Sequence, residues 1–324
     1  MAGYTVATPF GTQHLTFNIQ HSTFPQSVSY ERLENCPVCG KSEFRNKLVV
    51  EDKSVSKESF AIVQCQNCTF QFTNPRPGIE AIGRYYESDD YVSHNSTATG
   101  VINQAYKVAR FFTMRRKVAL VNKLAPRKGK LLDYGCGTGH FLAAARSGGW
   151  QVAGVEPNAR AQQEASERVG QPIGNENLVS FESASFDAIT LWHVLEHVHN
   201  LNETLQQLVR LLKPDGVLII AVPNVDSLDA QHYRQDWAAY DVPRHLYHFS
   251  PKTMKLLLKK HKLTVPETLP MPLDAYYVSM LSEKHRAERG GGLMNVLKAG
   301  YKSNKYAEEH EGLYSSVIYV AHKR

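Results

Sequence analysis

Four of the five cysteines form two C-x-x-C pairs, a spacing that is typical of metal sites. The pairs are Cys36/Cys39 and Cys65/Cys68, and 25 residues separate them. Each C-x-x-C turn brings two thiolates to one side of a tight backbone knuckle, so two knuckles supply the four ligands of a tetrahedral zinc site. Four protein ligands leave no open position, which predicts a structural zinc ion in a small zinc ribbon. Disulfides and unrelated free thiols are the alternatives, but nothing in the sequence indicates an oxidising compartment.

A glycine-rich loop, which runs from Asp133 to His140 with glycine at 135, 137 and 139, is a second feature that can bind a ligand. Its G-x-G-x-G spacing differs from the G-x-G-x-x-G fingerprint of dinucleotide sites. Glu156 stands 21 residues after Gly135, at the end of the next predicted strand, where it can accept hydrogen bonds from a ribose diol. With Asp133 facing a ligand ammonium group, the loop favours a nucleoside that carries an amino-acid tail. The alternative is a tight turn without a ligand.

Both motifs belong to a chain in which strands and helices alternate. Apolar strands are predicted at 130–134, 151–156, 172–174, 186–191, 217–222, 263–269 and 315–321. Helices are predicted at 101–124, 140–147, 159–169 and 202–212, with a turn at 213–216. Near-continuous apolar strands between helices indicate a parallel sheet covered on both faces. The predicted fold is α/β, with a doubly wound, mostly parallel, seven-stranded Rossmann-like sheet and a small N-terminal zinc ribbon.

The chain divides into four predicted segments. They are an N-terminal arm (1–30) with a strand at 15–19, the zinc ribbon (31–75), a linker with an amphipathic helix that covers the ligand site (76–125), and the α/β domain (126–324), whose insert at about 270–313 forms a lid. The longest apolar run spans about a third of a bilayer, and the N-terminus lacks the pattern of a secretory signal. With 42% hydrophobic and 21% charged residues, the sequence predicts a cytoplasmic globular protein without a membrane segment.

Four stretches together resemble the class I S-adenosylmethionine-dependent methyltransferases. They are 133–139, 155–157, 186–189 and 212–216, and the resemblance extends over roughly 100–324. Residues 192–198 and 243–250 resemble a broad subgroup that acts on small molecules. The four-cysteine module is similar to the one that precedes the methyltransferase domain in deoxysugar C-methyltransferases. The resemblance implies S-adenosylmethionine as the cofactor, beside the structural zinc ion.

The resemblance also implies which residues contact the methyl donor. The methionine moiety would be lined by loop residues with a carboxylate beneath them: Gly135, Cys136, Gly137, Gly139 and Asp133. Trp192 and His193 would close the pocket under the sulfonium. Apart from the resemblance, we predict that Tyr91, before the amphipathic helix, closes over the cofactor from the other side.

On the nucleoside side, the resemblance implies a further set of contacts. Glu156 would hold the ribose hydroxyls, and Pro157 would pack on the adenine. Glu176 or Asn177, after the third predicted strand, would lie near the adenine amino group.

A histidine-rich segment follows the fourth predicted strand and matches the H-x-x-E-H pattern of some zinc proteases. That pattern needs a helix to place both histidines on one face, so a position directly after a strand argues against a protease. In one interpretation His193, Glu196 and His197 bind a divalent metal, as in some quinone-pathway methyltransferases that have an acidic residue where His193 stands. In a second interpretation His197 or His193 is a general base. In a third, the histidines only shape the pocket.

A second histidine segment, residues 243–248, follows the fifth predicted strand. Methyl transfer from a sulfonium requires alignment of the nucleophile and removal of its proton when it is an alcohol or a carbon acid. We predict His248 or His245 as the base, because histidine accepts a proton near neutral pH, with Tyr247 assisting. The alternative is a structural loop with one buried histidine.

Three functions remain open at this stage. The first is methyl transfer to a small-molecule acceptor, such as a sugar nucleotide or a related hydroxylated metabolite. The second is RNA methylation, with which the zinc module and the net charge of +6 are compatible. Charges around the zinc knuckles are mixed, and the basic run 115–117 is more typical of a solvated helix face, so RNA is not favoured. The third, a non-catalytic cofactor-binding protein, predicts a degenerate glycine loop, which is not observed.

Overall fold

The structure is a computed structural model that describes residues 29–87, 101–175, 177–286 and 292–324. Along 101–112 it describes the backbone of a helix only. The predicted strand at 15–19, Tyr91, Glu176 and residues 287–291 of the predicted lid lie outside the described residues. Within the described residues, no helix is both long and apolar enough to cross a membrane.

Strands and helices are numbered in chain order. The strands are β1 (Tyr30–Glu31), β2 (Phe44–Glu51), β3 (Ser59–Cys65), β4 (Gln71–Thr73), β5 (Arg76–Pro77), β6 (Lys130–Tyr134), β7 (Gln151–Val155), β8 (Phe186–Trp192), β9 (Leu212–Pro223), β10 (Tyr247–His248), β11 (Leu263–Pro270) and β12 (Ser316–Lys323). The helices are α1 (Val101–Leu124), α2 (His140–Ser147), α3 (Ala159–Val169), α4 (Leu201–Leu211), α5 (Leu228–Tyr233), α6 (Pro251–Lys260), α7 (Pro272–His285) and α8 (Leu293–Glu309).

The main sheet has six strands in the order β11-β12-β9-β8-β6-β7. β7, β6, β8 and β9 are parallel, whereas β12 and β11 run antiparallel to their neighbours. This arrangement confirms the predicted α/β class and its mostly parallel sheet. Parallel strands bring their carboxyl ends to one edge of the sheet, and the glycine loop after β6 lies at that edge.

The third predicted strand, at 172–174, is reduced to a single bridge between Val155 and Gly174, so the sheet has six strands where seven were expected. Pro172 has no N–H to donate to a ladder, and the segment is only three residues long. The turn predicted at 213–216 is a bulge inside β9, because Phe186 pairs with Leu212 while Ala188 pairs with Val217.

Side chains of the central strands are buried on both faces of the main sheet. Leu218 and Ile220 of β9 belong to one apolar core, to which α4 and α6 contribute. Ile219 and Ala221 point to the opposite core, which includes residues of α1, α2 and α3. Alternate residues of a strand face opposite sides, so two helical layers cover the sheet as the apolar strand sequences predict.

The sheet of the zinc module takes one of its strands from the distant α/β domain. Its order is β10-β4-β3-β2, with every neighbour antiparallel. Tyr247 of β10 pairs with Phe72 of β4, and His248 pairs with Gln71. The sheet predicted within 31–75 is therefore completed by two residues from the far half of the chain.

A buried ion pair holds the zinc module against the α/β domain. A guanidinium nitrogen of Arg244 lies 2.9 Å from a carboxylate oxygen of Asp52 and 2.6 Å from one of Asp241. The side chains of Arg244 and Asp52 are 1% and 0% exposed, and Arg244 also donates to the backbone oxygen of Tyr85. A buried charge is stable only beside its partner, so this pair fixes the relative position of the two parts.

We expect Asp52→Ala to lower the free energy of unfolding by about 3 kcal/mol, because it removes a fully buried carboxylate partner of a buried guanidinium. Urea unfolding measures the change. The matched control is Glu164→Ala, which removes an exposed i,i+4 pair with Arg160 and should cost less than about 0.5 kcal/mol. Equal effects of the two substitutions would contradict the role given to the buried pair.

Candidate functional site

The glycine loop turns back on itself through three residues in the left-handed region. Gly135, Gly137 and Gly139 have φ values of 75°, 52° and 77°. A Cβ on Gly135 would come within 2.5 Å of the Val194 side chain, whereas a Cβ on Gly137 would meet nothing within 4 Å. The loop backbone is thus packed against the turn after β8 at Gly135 and faces open space at Gly137, where a ligand can approach it closely.

Glu156 is tied to the backbone of this loop. One carboxylate oxygen accepts a hydrogen bond from the Gly137 amide at 2.8 Å, and the other accepts one from the Asn158 amide at 3.0 Å. The residue is 8% exposed. The carboxylate predicted to bind a ribose diol is therefore held at the edge of the loop. Pro157, beside it, is exposed, and the exposed Asn177 accepts a hydrogen bond from the Val179 amide.

Asp133 lies beneath the loop and is fully buried. The Thr190 hydroxyl donates to its carboxylate at 2.6 Å. Burial raises the pKa of Asp133 to about 7, although the Thr190 hydrogen bond and the nearby Lys117 ammonium both favour its charged form. A buried carboxyl group whose pKa is raised this far, with a charged partner beside it, is typical of a functional site.

Lys117 is a residue of the site that the sequence interpretation missed. It was assigned to a solvated basic run, but its ammonium lies 4.4 Å from the centre of the Trp192 ring, whereas Arg115 and Arg116 are exposed. Burial lowers the pKa of Lys117, although the nearby carboxylates of Asp133 and Asp274 act in the opposite direction. Only the packing of α1 on the sheet turns this lysine inward, so no local sequence signal could have identified it. Trp192 also makes an edge-to-face contact with Phe141.

His193 bridges two acidic residues directly after β8. Its Nε2 lies 3.1 Å from Asp274 and its Nδ1 lies 3.5 Å from Glu196. Burial alone would lower the pKa of His193, but the two carboxylates outweigh it and raise the pKa to about 9. The residue has a φ of 58°, a left-handed conformation that is strained for a side chain other than glycine. A protonated histidine with two carboxylate partners is not a general base at neutral pH.

Glu196, His197 and His245 form a cluster beside this bridge. His197 belongs to the short 3₁₀ turn at 195–197, and His245 comes from the segment that leads into β10. The two imidazole rings meet edge to face, with their centres 4.5 Å apart. Burial and the neighbouring His245 lower the pKa of His197 to about 4, so its ring is neutral at neutral pH.

His248 and Tyr247, which were predicted as base and assistant, lie in β10 against the zinc module. The ring of His248 is 3% exposed and hydrogen bonded to the Thr73 hydroxyl at 3.1 Å. Tyr247 donates from its hydroxyl to the His199 backbone oxygen and stacks near Phe70. Both side chains are enclosed by protein, a placement that does not fit contact with an acceptor. The predicted alternative of a structural segment fits these two residues better.

The geometry can be compared with known proteins. A family model described as "Methyltransferase domain" matches residues 106–268, which is 163 of the 324 residues. The chain belongs to this methyltransferase family. The matched region contains the glycine loop, Glu156 and the Glu196–His197–His245 cluster.

Several relatives align with part of this methyltransferase. A malonyl-(acyl-carrier protein) O-methyltransferase of Enterobacter lignolyticus is 31% identical over 40% of this chain and 53% of its own length. A ubiquinone biosynthesis O-methyltransferase of Paracidovorax citrulli is 32% identical over 33% of this chain and 50% of its own. The chain thus spans about half the length of the curated relatives it matches. The crystal structure of a SAM-dependent methyltransferase from Archaeoglobus fulgidus covers 66% of this chain and 94% of its own, with 19% identity and a TM-score of 0.45.

The four paired cysteines of this methyltransferase come together outside the matched region. Their four Sγ atoms all lie within 4.8 Å of one another. The Sγ atoms of Cys36 and Cys68 are 3.5 Å apart, and those of Cys39 and Cys65 are also 3.5 Å apart. These separations exceed a disulfide bond of about 2 Å, and all four thiols are free. They are close to the roughly 3.8 Å between sulfurs around a tetrahedral zinc ion with bonds of about 2.3 Å. The fifth cysteine, Cys136, is buried in the loop, and burial raises the pKa of its thiol.

We expect Thr190→Val to destabilise the methyltransferase by about 2 kcal/mol at pH 8, because it removes the hydrogen bond to the buried Asp133 carboxylate. The folded pKa of Asp133 lies above its unfolded value, so stability falls as the pH rises from about 4 to about 7. Loss of the hydroxyl raises that pKa further, and the loss of stability should therefore be smaller at pH 5. Urea unfolding at both pH values measures the effect, with Thr190→Ser as the control that keeps the hydroxyl. Equal losses at the two pH values would refute this account.

Proposed function

We propose that the protein transfers a methyl group from S-adenosylmethionine to a small-molecule acceptor. The observation that carries the proposal is the loop backbone at Gly137, which faces open space while its amide is held by Glu156, within a domain of the methyltransferase family. When bound, the donor supplies a methyl group on a sulfonium.

The residues around the loop fit such a donor. Glycines at 135, 137 and 139 leave room for the methionine moiety at the backbone, with Asp133 as the carboxylate nearest to its ammonium group. Glu156 stands at the loop edge for the ribose hydroxyls. The Trp192 ring, which packs edge to face on Phe141, is proposed to lie beneath the sulfonium, where its π face would attract a cation.

On the acceptor side, we assign activation to the cluster beside the glycine loop and not to His248 or Tyr247. Val194 packs on Gly135, and Glu196 and His197 follow it in the chain. The Leu246 amide donates to the Glu196 backbone oxygen, which brings His245 to the same turn. An acceptor held against His197 and His245 would then lie beside the donor loop, as an in-line displacement requires.

A small-molecule acceptor agrees with the names of the two relatives, which describe O-methyltransferases of a malonyl carrier and of ubiquinone biosynthesis. The basic run 115–117 gives RNA methylation no support, because Lys117 lies against the Trp192 ring and is not part of an exposed basic patch. A sugar nucleotide or another hydroxylated metabolite remains our proposed acceptor.

We also propose that Cys36, Cys39, Cys65 and Cys68 hold a structural zinc ion. The donor set and the sulfur separations fit tetrahedral zinc, and four ligands leave no position for chemistry. The ion would stabilise the two knuckles that precede β2 and β4.

For the donor site, we expect the protein to bind S-adenosylhomocysteine and Gly137→Ala to weaken binding by at least about tenfold, or 1.4 kcal/mol. The added Cβ would occupy the open space at the loop. Gly312→Ala is the matched control, because Gly312 also has a positive φ and open space around its Cβ but lies far along the chain, near β12. Calorimetry measures both. If the wild-type protein binds neither donor nor product, the proposed function is wrong; equal affinities of the two variants would place the donor elsewhere.

For the zinc site, we expect about one zinc ion per chain by elemental analysis, lost in Cys65→Ser together with thermal stability. Cys136→Ser is the control, since this buried thiol lies in the glycine loop and not among the four paired cysteines. A zinc content that is unchanged in Cys65→Ser would contradict the assignment.

A further inference from the structure

Three electron-pair donors converge beside the glycine loop. Glu196, His197 and His245 each offer one atom suited to a metal, and these three atoms lie within 4.8 Å of one another. Glu196 and His245 are buried, and His197 is partly buried. Ligand atoms this close together can all reach one metal ion placed between them.

Both imidazoles are oriented by their Nδ1 atoms. His245 Nδ1 lies 2.8 Å from the Ala239 backbone oxygen, which can only accept a hydrogen bond, so Nδ1 carries the hydrogen and Nε2 keeps its lone pair. His197 Nδ1 lies 3.1 Å from the Arg244 backbone oxygen and 3.0 Å from the Tyr86 hydroxyl. With the hydrogen of His197 on Nδ1, facing the Arg244 oxygen, its Nε2 also keeps a lone pair. Within the described residues, no hydrogen bond reaches Nε2 of either ring. Proteins commonly orient histidine ligands of metals in this way.

The Glu196 carboxylate is 1% exposed, yet neither of its oxygens has a hydrogen-bond partner among the residues that the structure describes. His193 lies beside it, with Nδ1 3.5 Å from Oε1, but the other nitrogen of His193 is engaged by Asp274 at 3.1 Å. The backbone of Glu196 is fixed by the Leu246 amide at 2.8 Å. The carboxylate is thus held rigidly, with His193 as an ion-pair neighbour of Oε1 and no partner within hydrogen-bond geometry in the described part of the chain, and such a group is suited to ligate a cation.

We propose that Glu196, His197 and His245 bind a divalent first-row metal cation. Two imidazoles and a carboxylate form the ligand set of zinc hydrolases and of non-haem iron enzymes. One interpretation of the sequence had His193, Glu196 and His197 as metal ligands. The set proposed here has His245 in place of His193, because His193 is engaged as the bridge to Asp274.

Three protein ligands leave coordination positions open, to which an oxygen atom of the acceptor can bind. A hydroxyl group on such a cation loses its proton more readily, so the imidazoles would act through the metal and not as bases. This role at the acceptor rests on the proposed function, whereas the metal site itself does not. The metal site would therefore favour acceptors in which an oxygen atom that can bind a metal is the methylated atom or is next to it.

The test is a titration of the wild-type protein, carrying one zinc ion per chain, with Mn²⁺. Manganese prefers nitrogen and oxygen ligands to thiolates, so the cysteine site should not contribute. We expect about one Mn²⁺ per chain, and Glu196→Gln and His245→Gln should each weaken binding by at least about a hundredfold. His261→Gln is the matched control, because this buried histidine has its Nε2 bonded to Asn202 outside the cluster.

Failure of the folded wild-type protein to bind Mn²⁺ overturns the proposal by itself, whatever the variants do. It is overturned as well if both variants bind like the wild type, or if His193→Gln abolishes binding while His245→Gln does not. Binding of S-adenosylhomocysteine, measured in parallel, separates the two proposals. Donor binding without Mn²⁺ refutes the metal site alone, and Mn²⁺ binding without donor binding refutes the proposed function alone.

Discussion

The position of His245 depends on contacts between the zinc module and the α/β domain. On one side of it, Arg244 is buried in an ion pair with Asp52 of the module. On the other side, β10 pairs with β4. The Thr73 hydroxyl donates to the backbone oxygen of His245 itself at 2.9 Å. The module therefore fixes one wall of the proposed acceptor site, and the zinc ion proposed for the module would affect the chemistry only by holding that wall in place.

Features with a local signal could be predicted from the sequence. The C-x-x-C pairs, the glycine loop and the apolar strands each depend on residues that are close in the chain, and the structure has the strands β6, β7, β8 and β12 within about two residues of their predicted bounds. The segment at 172–174 carried the same apolar signal but lacked the length and the N–H groups for a ladder. The alternation of strands and helices predicts a strand at this point of the chain, but it does not predict how many residues of that strand pair.

The composition of the site could be predicted only in part, because it depends on which side chains tertiary packing turns inward. His245 and His248 are three residues apart in one extended segment, and pairing with β4 sends only His248 into the zinc module. Lys117 and Asp274 reach the site from α1 and α7, far apart in sequence. Periodicity identifies the apolar face of a helix, but it does not identify a charged residue that is buried by a distant partner.

The shared sheet has a consequence for how this chain can be divided. A piece ending before residue 243 would keep β2, β3 and β4 but lose β10, and the N–H and C=O groups on one side of β4 would be left unpaired. Exposed strand edges of this kind recruit other strands, so such a piece would self-associate. The complementary piece contains β10 and could cover that edge, so the two fragments are suited to reconstitution after separate expression and ill suited to exchange as independent modules.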